Sequence, residues 1–247
     1  MSGHSTSTIQ RIIHYWLDHP PTLNTLCSSA RYLVCDGTYV KGRKGLFLAM
    51  DAQSHEVVKG VVNISENHTD LLGFFRSLQL EQVPINATLD GNPAIKYAVQ
   101  AVWPTTQIQR CLVHIQRQGL MWCRYRPKQA SSIDLRPLFR RVVYIETPED
   151  RDKFLNDLRI WEATYGKAID DSSNRGRVFS DIKRARSMLI KATPDMFRYL
   201  NDSAIPRSTN LIEGYFGRMK QRYRRHCGLA AHRLEAYYLW HLKLIKR

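Results

Sequence analysis

The 247-residue sequence contains no run of about 18 apolar residues, so no segment is suited to span a bilayer as a helix. Its first 30 residues lack a charged start followed by an apolar core, the pattern of a secretory signal. Cysteine is sparse and odd in number. Cys27, Cys35, Cys111, Cys123 and Cys227 fall at irregular spacing, which excludes a disulfide-stapled scaffold and points to a reduced, cytoplasmic chain. Acids are also short: 22 Asp+Glu face 37 Lys+Arg, a formal charge of +15. A surplus of that size makes cationic partners unfavourable and attracts a polyanion, of which nucleic acid is the commonest. Hydrophobic residues at 43% and charged residues at 24% exclude a disordered chain, and the length allows one or two domains with a real core.

The positive charge is uneven. Between Gly217 and Arg247 nine Lys/Arg stand against Glu235 alone, the pattern either of a solvated helix face or of a polyanion-binding one. Near the start, Ile9 to Leu17 forms a short amphipathic stretch stopped by Pro20-Pro21. From residue 31 the pattern turns to strands: 32–40, 46–50 and 57–64, separated by short turns at 41–45 and 51–54, which predicts an antiparallel three-strand meander. Leu71, Leu72, Phe74, Phe75 and Leu78 then recur at helical spacing, 84–89 is a buried strand and 93–103 a second helix. Beyond Arg110 strand signals stop and helical ones run to about residue 204; Thr147-Pro148-Glu149-Asp150 combines a capping residue, a first-turn proline and acids. A last helix begins near Asn210, and the basic tail is expected to continue it. The expected organisation is a 1–30 lead segment, an α/β part over 31–110, a helical block over 111–206, and a final helix with its tail over 207–247.

Asp36 and Asp90 each close an apolar run and are each followed by glycine. If the first and fourth strands are neighbours, both carboxylates project from one sheet edge and could hold a divalent cation; alone, each Asp-Gly reads more plainly as a strand-terminating turn. Glu213 is the candidate third acid. At 100° per residue, Glu213, Gly217, Lys220 and Arg224 fall within about 40° of one line, while Leu211, Ile212, Tyr215, Phe216, Met219 and Tyr223 fall elsewhere. One face buries itself; the other offers a carboxylate, a gap and two cations suited to phosphate oxygens. Asn210-Leu-Ile-Glu213 also has the spacing of a helix capping box, in which the acid only closes the first turn. Cys111 and His114 stand i, i+3 just beyond Arg110; as zinc ligands they would need two more, and Cys123 or His226-Cys227 supply no convincing second pair, so a polar pair at the rim of the site is the plainer reading. Trp122, Trp161 and Trp240 are placed either for the core or for stacking on an extruded base.

Taken in order, Asp36-Gly-Thr, Leu89-Asp90-Gly-Asn-Pro-Ala-Ile, Trp103-Pro104, Gln109-Arg-Cys111-Leu-Val-His114 and Arg207-Ser-Thr-Asn210-Leu-Ile-Glu213-Gly, followed by Lys220 and Arg222, resemble the mutator-type insertion-sequence transposases over about residues 31 to 230. The resemblance implies a DDE recombinase: an RNase H-like mixed sheet flanked by helices, with an all-helical insertion before the last catalytic helix. It implies Asp36, Asp90 and Glu213 as the triad holding two Mg²⁺ ions, with Mn²⁺ as a substitute, and Cys111, His114 and Asn210 at the rim. Arg207, Lys220, Arg222, Arg224 and Arg225 are then expected on double-stranded DNA, the protein acting on transposon ends and target as a homodimer or larger assembly, at the nucleoid and away from membranes. It also implies a substantial DNA-binding region before the core, of which residues 1–30 would be the remnant. The competing expectations are an RNase H-like nuclease without strand transfer and a catalytically silent, transposon-derived DNA-binding protein.

Overall fold

The computed structural model describes residues 3–23, 27–39, 45–172, 176–225 and 229–247. Residues 41–44 of the expected turn at 41–45, and His226-Cys227, lie outside the described residues. The described strands are β1 (Tyr32–Thr38), β2 (Gly45–Asp51), β3 (Val57–Ile64), β4 (Asn86–Leu89) and β5 (Gln107–Arg110), and they form one mixed sheet in the order β3-β2-β1-β4-β5. Helices precede, separate and follow them: α1 (Thr6–Asp18), α2 (His68–Arg76), α3 (Pro93–Val102), α4 (Leu112–Cys123), α5 (Ala130–Arg141), α6 (Pro148–Asp170), α7 (Arg177–Ala192), α8 (Asn210–Arg225) and α9 (Ala231–Leu244). The chain is mixed α/β, as expected, and none of its described helices is long and apolar enough to cross a membrane.

Chain contacts divide it into two compact units, the first comprising 1–85, 94–106 and 210–247, the second 86–93 and 107–209. In the first, β1, β2 and β3 are the antiparallel meander read from the short turns, with Val34 opposite Met50, Asp36 opposite Leu48 and Thr38 opposite Leu46. Because side chains alternate along a strand, these six share one face. That face is covered by α8 and α9, whose Ile212, Tyr215, Phe216, Met219, Leu234, Tyr238 and Leu242 join Val34, Leu46, Leu48 and Met50 in one buried cluster. The opposite face carries Phe47, whose ring meets Phe74 of α2 edge-on at 4.9 Å; Phe75 in turn meets Trp103 at 5.7 Å. Asn67 caps α2 by accepting from the Asp70 amide at 2.9 Å.

The tail does not extend the last helix as one rod. α8 ends at Arg225 and α9 starts anew at Ala231. The reason is in the core: at 1.5 Å per residue a continuous helix would set Ile212 and Leu242 about 45 Å apart, yet both belong to one cluster. Gly60 allows α9 its approach, since a Cβ there would stand 2.5 Å from Leu48 and 2.8 Å from Leu242.

The second unit pairs β4 and β5 in parallel, Asn86 to Gln107 through Leu89 to Arg110, and continues in helices. Leu112, Ile115, Leu135, Phe139, Phe154, Trp161, Ile182 and Leu189, from α4 to α7, share its core. The first turn of α6 is closed as its sequence announces: the Thr147 hydroxyl accepts from the Asp150 amide, the Asp150 carboxylate accepts from the Thr147 amide, and Pro148 opens the helix. Arg186 on α7 reaches Glu162 of α6 at 2.8 Å and Asp170 at 2.5 Å, and holds these two helices together. α4 and α5 cross at Gly119, where an added Cβ would collide with the Phe139 ring. Overpacking of a core costs about 1–3 kcal/mol. Gly119→Ala is therefore expected to lower the melting temperature by about 2–12 °C, measured by circular dichroism; an unchanged melt would mean that Phe139 yields without cost.

Candidate active site

Asp36 lies inside β1, not at its end. The strand runs on through Gly37 to Thr38, so the turn reading of Asp36-Gly37 does not hold. Gly37 is needed for space: a Cβ there would collide with the Glu66 carboxylate and press on Phe47. On its face of the sheet Asp36 stands between Val34, which is in the core, and Thr38, and it is only 8% exposed. α8 lies over that face with Ile212, Tyr215, Phe216 and Met219 buried, the apolar stripe its periodicity predicts. The same rotation brings Glu213 to the strand: a carboxylate oxygen of Asp36 and one of Glu213 lie within 4.8 Å of each other, and Oε1 of Glu213 is shut off from solvent. α8 begins at Asn210 itself, one place beyond where a capping residue stands, with Glu213 in the first turn, where the helix dipole favours an anion. Seven residues on, Lys220 Nζ donates to the Thr38 hydroxyl and fixes the helix to the strand two positions from Asp36.

Two carboxylates so close, one sheltered from water, repel each other when both are charged. Hard oxygen donors in that setting fit a divalent cation such as Mg²⁺ or Mn²⁺, which takes carboxylate and water oxygens. Gly217, on the same line of α8, has nothing within 4 Å of an added Cβ, so the space above it is open.

In the second unit Asp90 follows the end of β4 and does make a turn: its Oδ1 accepts from the Asn92 amide at 2.8 Å just before α3 starts. A second feature exceeds turn chemistry. A Cβ on Gly91 would sit 2.6 Å from the Arg110 guanidinium. Burial pulls that guanidinium below its ordinary value, while Asp90 and Asp195 favour its charge. Arg110, at the end of β5, thus lies against the Asp90 turn. Its signal in the sequence was a cation ending a strand, one place before Cys111.

Cys111 precedes α4 and is fully buried; the Thr209 amide and hydroxyl donate to its sulfur at 3.3 and 3.5 Å, and the Thr209 hydroxyl also meets His114 Nδ1 at 3.3 Å. Burial pushes the thiol up, but hydrogen bonds and charge from His114, with those from Thr209, outweigh it and hold the thiol below its usual range. The pair is thus tied through Thr209 as a hydrogen-bonded brace, and among the described residues no cluster of three or more potential metal ligands includes Cys111. The brace also secures the chain entering α8: the Leu112 amide donates to the Arg207 carbonyl at 2.9 Å and the Thr88 hydroxyl to the Pro206 carbonyl at 2.9 Å. Thr209, which joins these bonds, carried no signal beyond its place in the motif.

The cations differ. Lys220 is half-buried, while Arg222, Arg224 and Arg225 are exposed. Arg207 is exposed and 3.4 Å from Glu146. Trp161 is core, its indole donating to the Ser131 carbonyl at 2.9 Å, and Trp122 packs against the same cluster.

A family model described as "Transposase, Mutator family" matches residues 28–228. Among solved structures, the chain is similar to the catalytic core domain of BIV integrase, at 13% identity and a TM-score of 0.27, over 65% of this chain and 83% of that one. No curated protein matches it.

Proposed function

Because the chain belongs to the Mutator family of transposases, we propose that it cuts DNA strands at transposon ends and transfers the resulting 3′-OH into target DNA. The observation that carries the reading is the carboxylate pair of Asp36 and Glu213, held within 4.8 Å by a buried strand and a helix locked onto it. Asp90 is the third acid of this proposal, with Arg110 steadying its turn. Asp36, Asp90 and Glu213 would hold two Mg²⁺ or Mn²⁺ ions, which when bound activate the attacking hydroxyl and stabilise the leaving oxygen. The strand order β3-β2-β1-β4-β5, with its antiparallel meander and helical crossovers, supports the RNase H-like reading.

The chain's own residues bind and position. Lys220, anchored on Thr38, keeps further protons for a phosphate oxygen beside Asp36. Arg207, Arg222, Arg224 and Arg225 supply exposed charge for the backbone of double-stranded DNA, so affinity falls steeply with salt and depends little on sequence. Cys111, His114 and Asn210 form the rim. The protein works as a dimer or larger assembly on paired ends, in the cytoplasm at the nucleoid.

The test is nicking and 3′-end joining on DNA carrying the element's ends, with and without Mg²⁺ or Mn²⁺. Both reactions are expected only with metal. Nicking without joining would make the protein a nuclease, and binding with no metal-dependent chemistry would make it a DNA-binding protein alone. The open line at Gly217 gives a second check. Gly217→Ala is expected to stabilise α8 by up to about 1 kcal/mol and yet to weaken DNA binding several-fold, read by melting and by fluorescence anisotropy. Unchanged binding would mean that no DNA backbone approaches there.

A further inference from the structure

The basic residues of α8 do not share one face. At 100° per residue Lys220 and Arg224 lie within about 40° of Glu213, whereas Arg222 is about 180° and Arg225 about 120° away. These two arginines face a different feature, an open pocket of about 330 Å³ that they line together with Tyr237, Trp240, His241 and Leu244 of α9. Trp240 is fixed in place: its indole nitrogen donates to the Trp16 carbonyl at 2.8 Å and its ring meets the Trp16 ring edge-on at 5.3 Å. His241 is only 7% exposed, meets Tyr215 edge-on at 5.3 Å, and its Nε2 is buried with no hydrogen-bond partner among the described residues. Buried polar atoms are nearly always paired, with protein, water or a bound group, and His241 lines the cavity.

We propose that this pocket takes one unpaired nucleotide of a DNA strand, its base against Trp240 and Tyr237 and its phosphate on Arg222 and Arg225. The volume is too small for a duplex and adequate for a base with its sugar. Aromatic walls accept any base through its π-face, two guanidiniums at the mouth suit a phosphate, and a base edge offers the hydrogen bond that His241 Nε2 lacks. A preset Trp240 loses little freedom on stacking, which favours binding. The site is separate from the carboxylates, because its arginines lie on the other side of α8. The inference rests on the DNA-processing reading, and it adds that the protein holds an unstacked nucleotide while it works.

The test uses the full chain in metal-free buffer, so that no strand is cut. Fluorescence anisotropy compares three labelled duplexes: fully paired, carrying a one-nucleotide adenine bulge, and carrying an abasic residue at the bulge. Stacking on an aromatic side chain is worth about 5- to 150-fold in affinity, so the adenine bulge is expected to bind tighter than the abasic one by a factor in that range. Leu244 is 69% exposed, so Leu244→Trp is expected to melt like wild type while filling the pocket, and the two bulges should then bind equally. Equal affinity in wild type would overturn the pocket and leave the DNA reading standing. A preference that survives Leu244→Trp would place the base elsewhere and overturn it as well. No binding to any of the three would overturn both readings.

Discussion

Glu213→Gln is expected to melt with or slightly above wild type and to lose about three orders of magnitude in metal-dependent nicking. The two halves of this result have separate causes. Gln keeps the size of Glu, and it relieves the repulsion between two carboxylates within 4.8 Å of each other. The folded state therefore gains or keeps stability. Metal-assisted phosphoryl transfer depends on several kcal/mol of charge stabilisation, and each 1.36 kcal/mol is tenfold in rate, so removing one anionic ligand is costly. A readout that needs no DNA accompanies it. Mn²⁺ at 100 times its dissociation constant stabilises a folded protein by about 2.7 kcal/mol, which should raise the wild-type melting temperature and leave the Gln variant nearly unmoved. If the variant nicks like wild type, Glu213 is a structural first-turn acid and the catalytic assignment fails. If it melts far lower, the carboxylate has a folding role that the α8 geometry does not indicate.

What the sequence made legible was periodic. The short turns between 32–40, 46–50 and 57–64 announced the antiparallel meander, and the 3.6-residue period of α8 separated Glu213 from Ile212, Phe216 and Met219; both follow from local geometry. The Thr147-Pro148 start of α6 was equally local. What failed to show depends on residues distant in the chain. Asp36-Gly37 looks like a turn until Glu66 and Phe47 are seen to need the space at Gly37. The tail looks like an extension of α8 until Leu242 is found beside Leu48. Arg110 became a partner of the Asp90 turn only when β5 was paired to β4, and Thr209 a partner of Cys111 only when residues 98 apart met. The basic stripe was legible as charge but not as two faces, because its second face is defined by α9 and by Trp240.

Acid should unfold this protein in part through His241. Burial pulls its pKa from the usual 6.5 to about 4, and Arg222 and Arg218 add to the shift; Tyr215 and Tyr237 flank the ring from α8 and α9 and supply no negative charge at these pH values. Above pH 6.5 the imidazole is neutral whether the chain is folded or not, and it costs nothing. As pH falls from 6.5 to 4 the unfolded chain takes up a proton that the folded one refuses, so stability drops steadily, and below pH 4 the loss stops growing. At 1.36 kcal/mol per pH unit the span amounts to about 3 kcal/mol, or about 6–12 °C in melting temperature for a chain of this size. Carboxylates titrate over the same range, so the informative quantity is the difference from His241→Phe, which keeps the ring against Tyr215 and has no proton to gain. That difference is expected to be constant above pH 6.5 and to move in favour of the variant by about 3 kcal/mol by pH 4. Added salt should shrink it by screening the two arginines. A wild-type and variant pair that lose stability in parallel from pH 7 to 4 would mean that His241 accepts a proton in place, with water or a solvent anion reaching its Nε2.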